Sequence, residues 1–287
     1  MERQGFSNLI VRTHSELDLI DQAKTSEFFQ KVHPDYVILA AARVGGIQSN
    51  SQYPAEFIYE NIQIQSNVIH QAWKNGCKKL VFLGSSCVYP RLSQQPIKEK
   101  YLLTGPLEPT NEGYAVAKLA GIKMCEFYRK QHGFNAMSIM PCNLYGPGDN
   151  FNPESSHVIP SMISKIFEAK KFDLPTTTFF GDGSPLREFL YVDDFAKACL
   201  FILEKNDNEN IINVGSKDEF TIKELAELIS EKIGYSGEIQ WDLSKPNGMP
   251  RKKLDTSLAS KLGWNSMTKF TDGIERTLDW YKEAIDV

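Results

Sequence analysis

Short apolar runs alternate with longer amphipathic stretches through the first half of this chain, and this alternation constrains the fold most. The apolar runs, which predict strands, are 8–11, 36–41, 80–83 and 136–140. The intervening stretches predict helices over 25–31, 54–75 and 115–132. Strands joined by helical crossovers form a parallel sheet covered by helices. The sequence therefore predicts an α/β fold with a doubly wound, Rossmann-like parallel sheet.

The second half is less regular, and the composition changes after Tyr145-Gly146-Pro147-Gly148. Helices are expected at 158–169, 193–205 and 221–233, a last sheet strand at 211–214, and a loop at 245–255 followed by two helices within 257–281. The 221–233 helix has a capping box, because Thr221 is followed three residues later by Glu224. We expect a coenzyme-binding domain of residues 1–148 and 186–214, and a substrate-binding lobe of residues 149–185 and 215–287.

Composition excludes several classes of function. A net charge of -4 and a pI near 5.8 argue against nucleic acid as the main partner, because phosphate binding requires a clustered basic face. No signal-peptide core and no apolar run of membrane-spanning length occurs, so we expect a cytoplasmic protein without a membrane partner. The five cysteines are scattered without a CxxC pair, which indicates neither a disulfide framework nor a metal site.

Tyr114 and Lys118 stand four residues apart on a predicted helix, so a phenol and an ammonium share one face. The ammonium is expected to lower the pKa of the tyrosine toward neutrality, as proton transfer to a carbonyl oxygen requires. The alternative is a chance pair on a helix surface. Upstream, the strand 79–83 ends in Gly84-Ser85-Ser86, which presents hydroxyls at the carboxyl end of a strand. Ser85, Tyr114 and Lys118 together predict a dehydrogenase site.

A Rossmann-like dehydrogenase binds the phosphates of a nicotinamide dinucleotide, and a site for them is harder to find in this sequence. No glycine-rich turn precedes the run 8–11, and Gly45-Gly46 lacks the spacing of such a turn. Arg12 follows that run, at a position where an NAD enzyme carries an acidic residue for the ribose. A basic residue there favours the 2′-phosphate of NADP. The alternative is a solvated arginine at the end of a strand.

Motifs along the whole chain resemble one known family. They lie in the runs 40–47, 57–61, 83–90, 107–112, 140–150, 156–160, 187–189 and 245–255. The combination of GSSCxYP, YxxxK and SHVIP is more specific than any one motif. The chain resembles the GDP-L-fucose synthases, extended short-chain dehydrogenase/reductases that epimerise C3 and C5 of GDP-4-keto-6-deoxy-mannose and reduce its C4 ketone to give GDP-fucose.

The resemblance implies roles for five residues. Ser85, Tyr114 and Lys118 would form the reductase triad, with NADP(H) as the hydride donor, and Cys87 and His157 the acid/base pair for C3 and C5. The chemistry is coherent, because a C4 ketone acidifies both flanking C–H bonds and one carbonyl-polarising pair can serve enolisation and reduction. Without the other motifs, Cys87 would be interpreted as a buried small residue and His157 as a helix-start histidine.

The resemblance also implies binding residues and a partner. The implied substrate contacts are Lys165, Phe180, Arg187, and Arg251 or Lys252. The cations suit the diphosphate of a GDP-sugar. Phe180 keeps an aromatic face at a position where the family more often has Trp. Implied cofactor contacts are Arg12, Gly84, Ser85, Ser86, Lys118, Pro141, Asn143, Leu144 and His157. The family tendency implies a homodimer.

The family begins with a strand, a glycine-rich turn and most of a helix, for which this sequence has no counterpart. We expect a sheet that lacks its central first strand, weak NADPH binding and a tendency to aggregate. Either the natural protein starts upstream of Met1 or this is a damaged copy. Two alternatives stay open: another NDP-sugar epimerase or reductase of this fold, which would not need the Cys87/His157 pair, and an inactive nucleotide-sugar-binding protein.

Overall fold

The structure is a computed structural model that describes residues 2, 5–152, 155–205 and 209–285. Its helices are α1 Gln22–Val32, α2 Ile47–Gln52, α3 Pro54–Lys74, α4 Glu112–His132, α5 Val158–Lys171, α6 Val192–Lys205, α7 Ile222–Ile233, α8 Ser257–Leu262 and α9 Phe270–Ile285. Its strands are β1 Tyr36–Leu39, β2 Lys79–Leu83, β3 Ala136–Pro141, β4 Asn143–Tyr145, β5 Thr176–Phe180, β6 Leu186–Tyr191, β7 Ile211–Val214, β8 Glu219–Thr221, β9 Glu238–Asp242 and β10 Arg251–Lys252.

The main sheet is parallel and has the strand order β1-β2-β3-β7. Helices α3 and α4 are the crossovers on either side of β2, and they pack against each other. Strands β2 and β3 are buried over almost their whole length, as expected for a parallel sheet covered on both faces. The predicted α/β class and parallel sheet are confirmed.

The predicted strand at 8–11 is wrong. Residues 7–13 have no regular structure, and 80% of the Val11 side chain is exposed. Within the described ranges, β2 is the strand that pairs with β1, so the other edge of β1 is open and Tyr36 is 55% exposed. An apolar run forms a strand only where a neighbour supplies hydrogen bonds and packing, and none of the described strands pairs with this run.

The second half adds two smaller sheets. Strands β4 and β10 flank β6 in parallel, β8 pairs with β6 antiparallel, and β5 pairs with β9. The capping box is confirmed, because Thr221 Oγ1 accepts from the Glu224 N–H over 3.0 Å while the Glu224 carboxylate accepts from the Thr221 N–H over 2.7 Å. The segment predicted as a loop over 245–255 contains β10, a strand too short to show periodicity.

The apolar side chains form two cores that meet along β6. The first includes Val81 and Met137 of the main sheet, and the second includes Ile163 of α5. Along β6, Leu190 belongs to the first core and Phe189 to the second, because successive side chains of a strand point to opposite faces. Of the helices in the described ranges, none is both long and apolar enough to span a bilayer.

Candidate active site

The carboxyl end of β2 carries the first group of site residues. After Leu83 the chain turns into a short 3₁₀ helix, Ser86–Val88, whose N-cap is Ser85. The Ser85 hydroxyl accepts a hydrogen bond from the Cys87 backbone N–H over 3.2 Å. Gly84 allows the turn to pass close to β3, because a Cβ there would come within 2.5 Å of Met140 Sδ. The turn therefore fixes a hydroxyl and a thiol side by side.

The first turns of α4 bring Tyr114 and Lys118 to this turn. Tyr114 and Ser85 are joined by a side-chain hydrogen bond. The Lys118 side chain is almost fully buried and donates to the Leu83 carbonyl over 2.8 Å. The structure thus brings the three residues of the predicted dehydrogenase site together, as expected for groups at the carboxyl edge of a parallel sheet.

The expected effect of Lys118 on Tyr114 is wrong for this structure. Burial raises the pKa of Tyr114 above its ordinary value, the nearby Cys87 raises it further, and the hydrogen bond with Ser85 only partly offsets both. The Lys118 ammonium is turned toward the Leu83 carbonyl and lies 6.0 Å from the centre of the Tyr114 ring. Burial lowers the pKa of Lys118 itself to about 8. Tyr114 therefore stays protonated at neutral pH.

Cys87 has the opposite electrostatic environment. Burial opposes ionisation of the thiol, but the Lys252 ammonium, hydrogen bonds from Ser85 and Lys252, and the Arg187 guanidinium outweigh it, so the pKa of Cys87 is lowered. Lys252 Nζ lies 3.5 Å from the sulfur, and Asn111 Nδ2 donates to the sulfur over 3.3 Å. All five cysteines are free thiols, but the other four are buried, and burial raises their pKa values.

His157 lies at the N-cap of α5 and makes no side-chain capping bond. It is exposed, yet its pKa is lowered, first by desolvation and then by the Lys252 ammonium, with Asp149 opposing them. Lys252 thus acts electrostatically on both His157 and Cys87. The predicted acid/base residues consequently share one cationic neighbour.

Two of the predicted substrate residues, Lys165 and Phe180, form a basic, partly aromatic surface. Phe180, at the end of β5, is 49% exposed, and the ammonium groups of Lys165 and Lys245 lie 5.5 and 5.7 Å from its ring centre. Arg187, on β6, lies near Cys87 and Glu108, and burial lowers its pKa to about 10. An aromatic face between cations can hold a base and a phosphate.

Strand β10 separates the two remaining substrate candidates. Arg251 makes a bidentate ion pair with Glu219, at 2.8 and 2.6 Å, and Lys253 also contacts Glu219. Lys252 lies between them in sequence and points to the opposite side, toward Cys87. The structure therefore places Lys252 beside Cys87, whereas Arg251 is paired with Glu219 on the other side of the strand.

The predicted cofactor residues divide into two groups. Gly84, Ser85, Ser86 and Lys118 lie at the end of β2, Pro141 ends β3, Asn143 and Leu144 lie in β4, and His157 begins α5. The donor set fits the nicotinamide ribose, because the buried Lys118 ammonium has three N–H donors and the Leu83 carbonyl accepts one. Arg12 lies apart, exposed in the segment without regular structure and 5.7 Å from the Phe28 ring centre.

Sequence reasoning missed three features of the site. Asn111 contacts the Cys87 sulfur, and its place three residues before Tyr114 is the only signal of this. Lys252 was a candidate for the diphosphate, and nothing in the sequence pairs it with Cys87. Glu188 of β6 is fully buried, accepts a hydrogen bond from the Leu254 N–H over 3.0 Å, and has its pKa raised to about 7 by burial.

Comparisons with known proteins agree with this geometry. A model of the NAD dependent epimerase/dehydratase family matches residues 2–215. The chain is 54% identical to GDP-L-fucose synthase 1 of Arabidopsis thaliana, over 99% of this chain and 88% of the relative, and 46% identical to GDP-L-fucose synthase of Escherichia coli K12, over 100% and 92%. The crystal structure of a GDP-L-fucose synthetase from Naegleria fowleri bound to NADP superposes with a TM-score of 0.90 at 29% identity, over 100% of this chain and 89% of the other.

Proposed function

Because the chain belongs to the NAD dependent epimerase/dehydratase family and, within it, to the GDP-L-fucose synthases, we propose that it converts GDP-4-keto-6-deoxy-D-mannose to GDP-L-fucose. The reaction is epimerisation at C3 and C5 followed by reduction at C4, so the protein is a nicotinamide-dependent oxidoreductase with epimerase activity. The observation that carries this proposal is the thiol of Cys87, held next to the Ser85–Tyr114 pair with its pKa lowered. A simple ketone reductase does not need such a thiol.

Tyr114 and Ser85 act on the C4 oxygen. Tyr114 stays protonated because its pKa is raised, so it can donate a hydrogen bond to a carbonyl oxygen and a proton to the developing alkoxide. Ser85, bonded to Tyr114, orients the phenol. The same two hydroxyls stabilise the negative charge that reaches the C4 oxygen when a neighbouring C–H bond loses its proton.

Cys87 and His157 act on C3 and C5. A thiolate and an imidazole can each take a proton from carbon and return one, and inversion requires one group on each face of the sugar ring. The lowered pKa of His157 keeps its imidazole neutral at pH 7, which leaves a ring nitrogen free to accept a proton. Lys252, which acts on both groups, balances the charge as protons move between them.

A bound nicotinamide cofactor supplies the hydride for C4. Lys118, Ser86, Asn143 and His157 are the residues we propose to hold its nicotinamide half. NADP(H) is the proposed form, supported by the NADP bound to the Naegleria fowleri relative. Lys165, Phe180 and Arg187 are the proposed contacts of the GDP moiety.

A homodimer is the proposed assembly. Val116 and Phe127 lie three turns apart on one face of α4, and both are exposed, as is Tyr59 on the neighbouring helix α3. Exposed apolar groups on two packed helices are a suitable surface for a second copy. Light scattering during gel filtration measures the mass directly.

The function is tested by incubating the protein with GDP-4-keto-6-deoxy-D-mannose and NADPH in D₂O. We expect NADPH oxidation and GDP-L-fucose carrying deuterium at C3 and C5. A reduced product with no deuterium at C3 and none at C5 would instead indicate a reductase of the same fold that does not epimerise. Binding of the GDP-sugar without oxidation of NADPH would indicate an inactive nucleotide-sugar-binding protein.

A further inference from the structure

Asn111 lies at the start of α4, and its carboxamide contacts the Cys87 sulfur. Nδ2 donates to Sγ over 3.3 Å. The Oδ1 atom of the same group is buried and has no hydrogen-bond partner within the described part of the chain. Leaving a buried acceptor unpaired costs roughly 1–3 kcal/mol, so such a group calls for an explanation.

Helix capping does not provide the explanation. Asparagine is favoured at an N-cap because its side-chain oxygen accepts from a backbone N–H of the first turn. Asn111 occupies the N-cap of α4 and makes no such bond. The preceding short turn, Pro109–Asn111, is capped instead by Glu108, whose carboxylate accepts from the Thr110 N–H. The Asn111 side chain is therefore available for the sulfur.

The charged groups that face the sulfur favour only one of its protonation states. Lys252 and Arg187 have donors and no acceptor, so they stabilise the thiolate. The Ser85 hydroxyl also bonds the sulfur, but it is shared with Tyr114 and with the Cys87 N–H. A proton that Cys87 takes from carbon produces an S–H group beside two cations, and Asn111 Oδ1 is a buried acceptor on a residue already in contact with the sulfur that no other donor occupies among the described residues.

We propose that Asn111 is a positioning residue for Cys87 that pairs with the sulfur in both of its protonation states. The N–H donates to the thiolate, and a half-turn of the amide about its last side-chain bond lets Oδ1 accept from the thiol. The two ends of a carboxamide have nearly the same shape, and the unpaired Oδ1 breaks no hydrogen bond when it turns. This role rests on the acid/base function proposed for Cys87 above.

The test is the pH dependence of Cys87 alkylation by iodoacetamide, followed by peptide mass spectrometry on the full chain without substrate. Asn111→Ala removes both hydrogen bonds, and the bond to the charged thiolate is the stronger of the two, so we expect a higher pH midpoint and alkylation about three- to tenfold slower at neutral pH. Asn111→Asp keeps the shape but supplies a carboxylate that cannot donate, so we expect a larger upward shift. The control is Thr110→Val, which changes the adjacent residue, whose hydroxyl bonds Glu108, and should keep the wild-type midpoint.

The outcomes separate this inference from the proposed function. If either Asn111 variant kept the wild-type midpoint while circular dichroism showed an intact fold, the role of Asn111 would be refuted. Should the wild type fail to convert the GDP-4-keto sugar, the proposed function would be wrong, whereas the alkylation midpoints would still decide about Asn111. In an active enzyme, the Asn111→Ala variant should also incorporate deuterium more slowly at the carbon that Cys87 serves, with unchanged GDP-sugar affinity.

Discussion

Two lysines serve the two halves of the site in opposite ways. Lys118 stands four residues from Tyr114, yet its ammonium donates to a backbone carbonyl, and the pKa of Tyr114 is raised. Lys252 stands 165 residues from Cys87, yet its ammonium lies 3.5 Å from the sulfur, and the pKa of Cys87 is lowered. The Lys252 contact outweighs burial at Cys87, whereas Lys118 makes no such contact with the phenol and burial decides the sign at Tyr114.

The difference gives the two acids different duties. Tyr114 remains protonated across the physiological range and can act as a donor to oxygen. Cys87 ionises more readily than an ordinary thiol and can accept a proton from carbon. Two groups with displaced pKa values in one cleft are the usual signature of an acid and a base with separate roles.

The largest expected effect is on the Tyr114 half of the site. Tyr114→Phe should slow C4 reduction on the order of 10⁴-fold, because the proton donor is lost while the ring still packs against Phe57. Affinity for the GDP-sugar should hardly change. Stopped-flow absorbance of NADPH and calorimetry of GDP-sugar binding measure the two quantities. A near wild-type rate of reduction would remove Tyr114 from the mechanism.

The next effect is on the Cys87 half. Cys87→Ser and His157→Gln should each slow deuterium exchange at C3 or C5 on the order of 10³-fold, because each removes one acid/base group. Hydride transfer to a ketone that needs no epimerisation should be affected much less. NMR of the product formed in D₂O gives the exchange at each carbon. Unchanged exchange in both variants would assign these two residues a structural role only.

Two glutamates on paired strands, Glu188 of β6 and Glu219 of β8, also differ in the direction of their pKa shifts. Glu188 is buried, and its pKa is raised from 4.5 to about 7, so the folded protein holds more protons than the unfolded chain between those values. Stability from this group is therefore lost as pH rises through that window. Glu188→Gln should remove this pH dependence. The free energy of unfolding at pH 8 minus that at pH 4 should then be larger in the variant than in the wild type, by at most about 3 kcal/mol.

Urea titrations of the wild type and the variant at the two pH values measure this change. Glu219→Gln is the matched control, because hydrogen bonds from Arg251 lower the pKa of Glu219 and reverse the sign. Its substitution should cost stability at neutral pH and less at acidic pH. If both substitutions changed the pH dependence of stability in the same direction, the raised pKa of Glu188 or the lowered pKa of Glu219 would be wrong.

The smallest effect tests the Lys252 contact itself. Lys252→Met should raise the pH midpoint for alkylation of Cys87 by about one unit, since the largest stabilising charge on the thiolate is gone. Arg251→Met is the matched control, because Arg251 pairs with Glu219. Equal midpoints for both variants would show that the charge of Lys252 is screened from the sulfur.

Much of the fold and part of the site follow from the sequence. The long helices α3 and α4 and the buried strands β2 and β3 have clear periodicity, and parallel strands bring Ser85 and Tyr114 to one edge. The run 8–11 failed as a strand because strand formation depends on a neighbour. The contacts of Lys118 with Leu83 and of Lys252 with Cys87 could not be predicted, because each depends on how distant segments pack.

Strand β10 has a consequence for how such a protein can evolve. Its register against β6 sends Arg251 to Glu219 and Lys252 to Cys87, and alternate side chains of a strand leave on opposite faces. Surface loops usually tolerate changes in length. A single-residue insertion or deletion that shifted this register would turn Lys252 away from Cys87 and break the bidentate pair that Arg251 makes with Glu219. The loop between β9 and β10 should therefore accept substitutions freely while its length stays under selection.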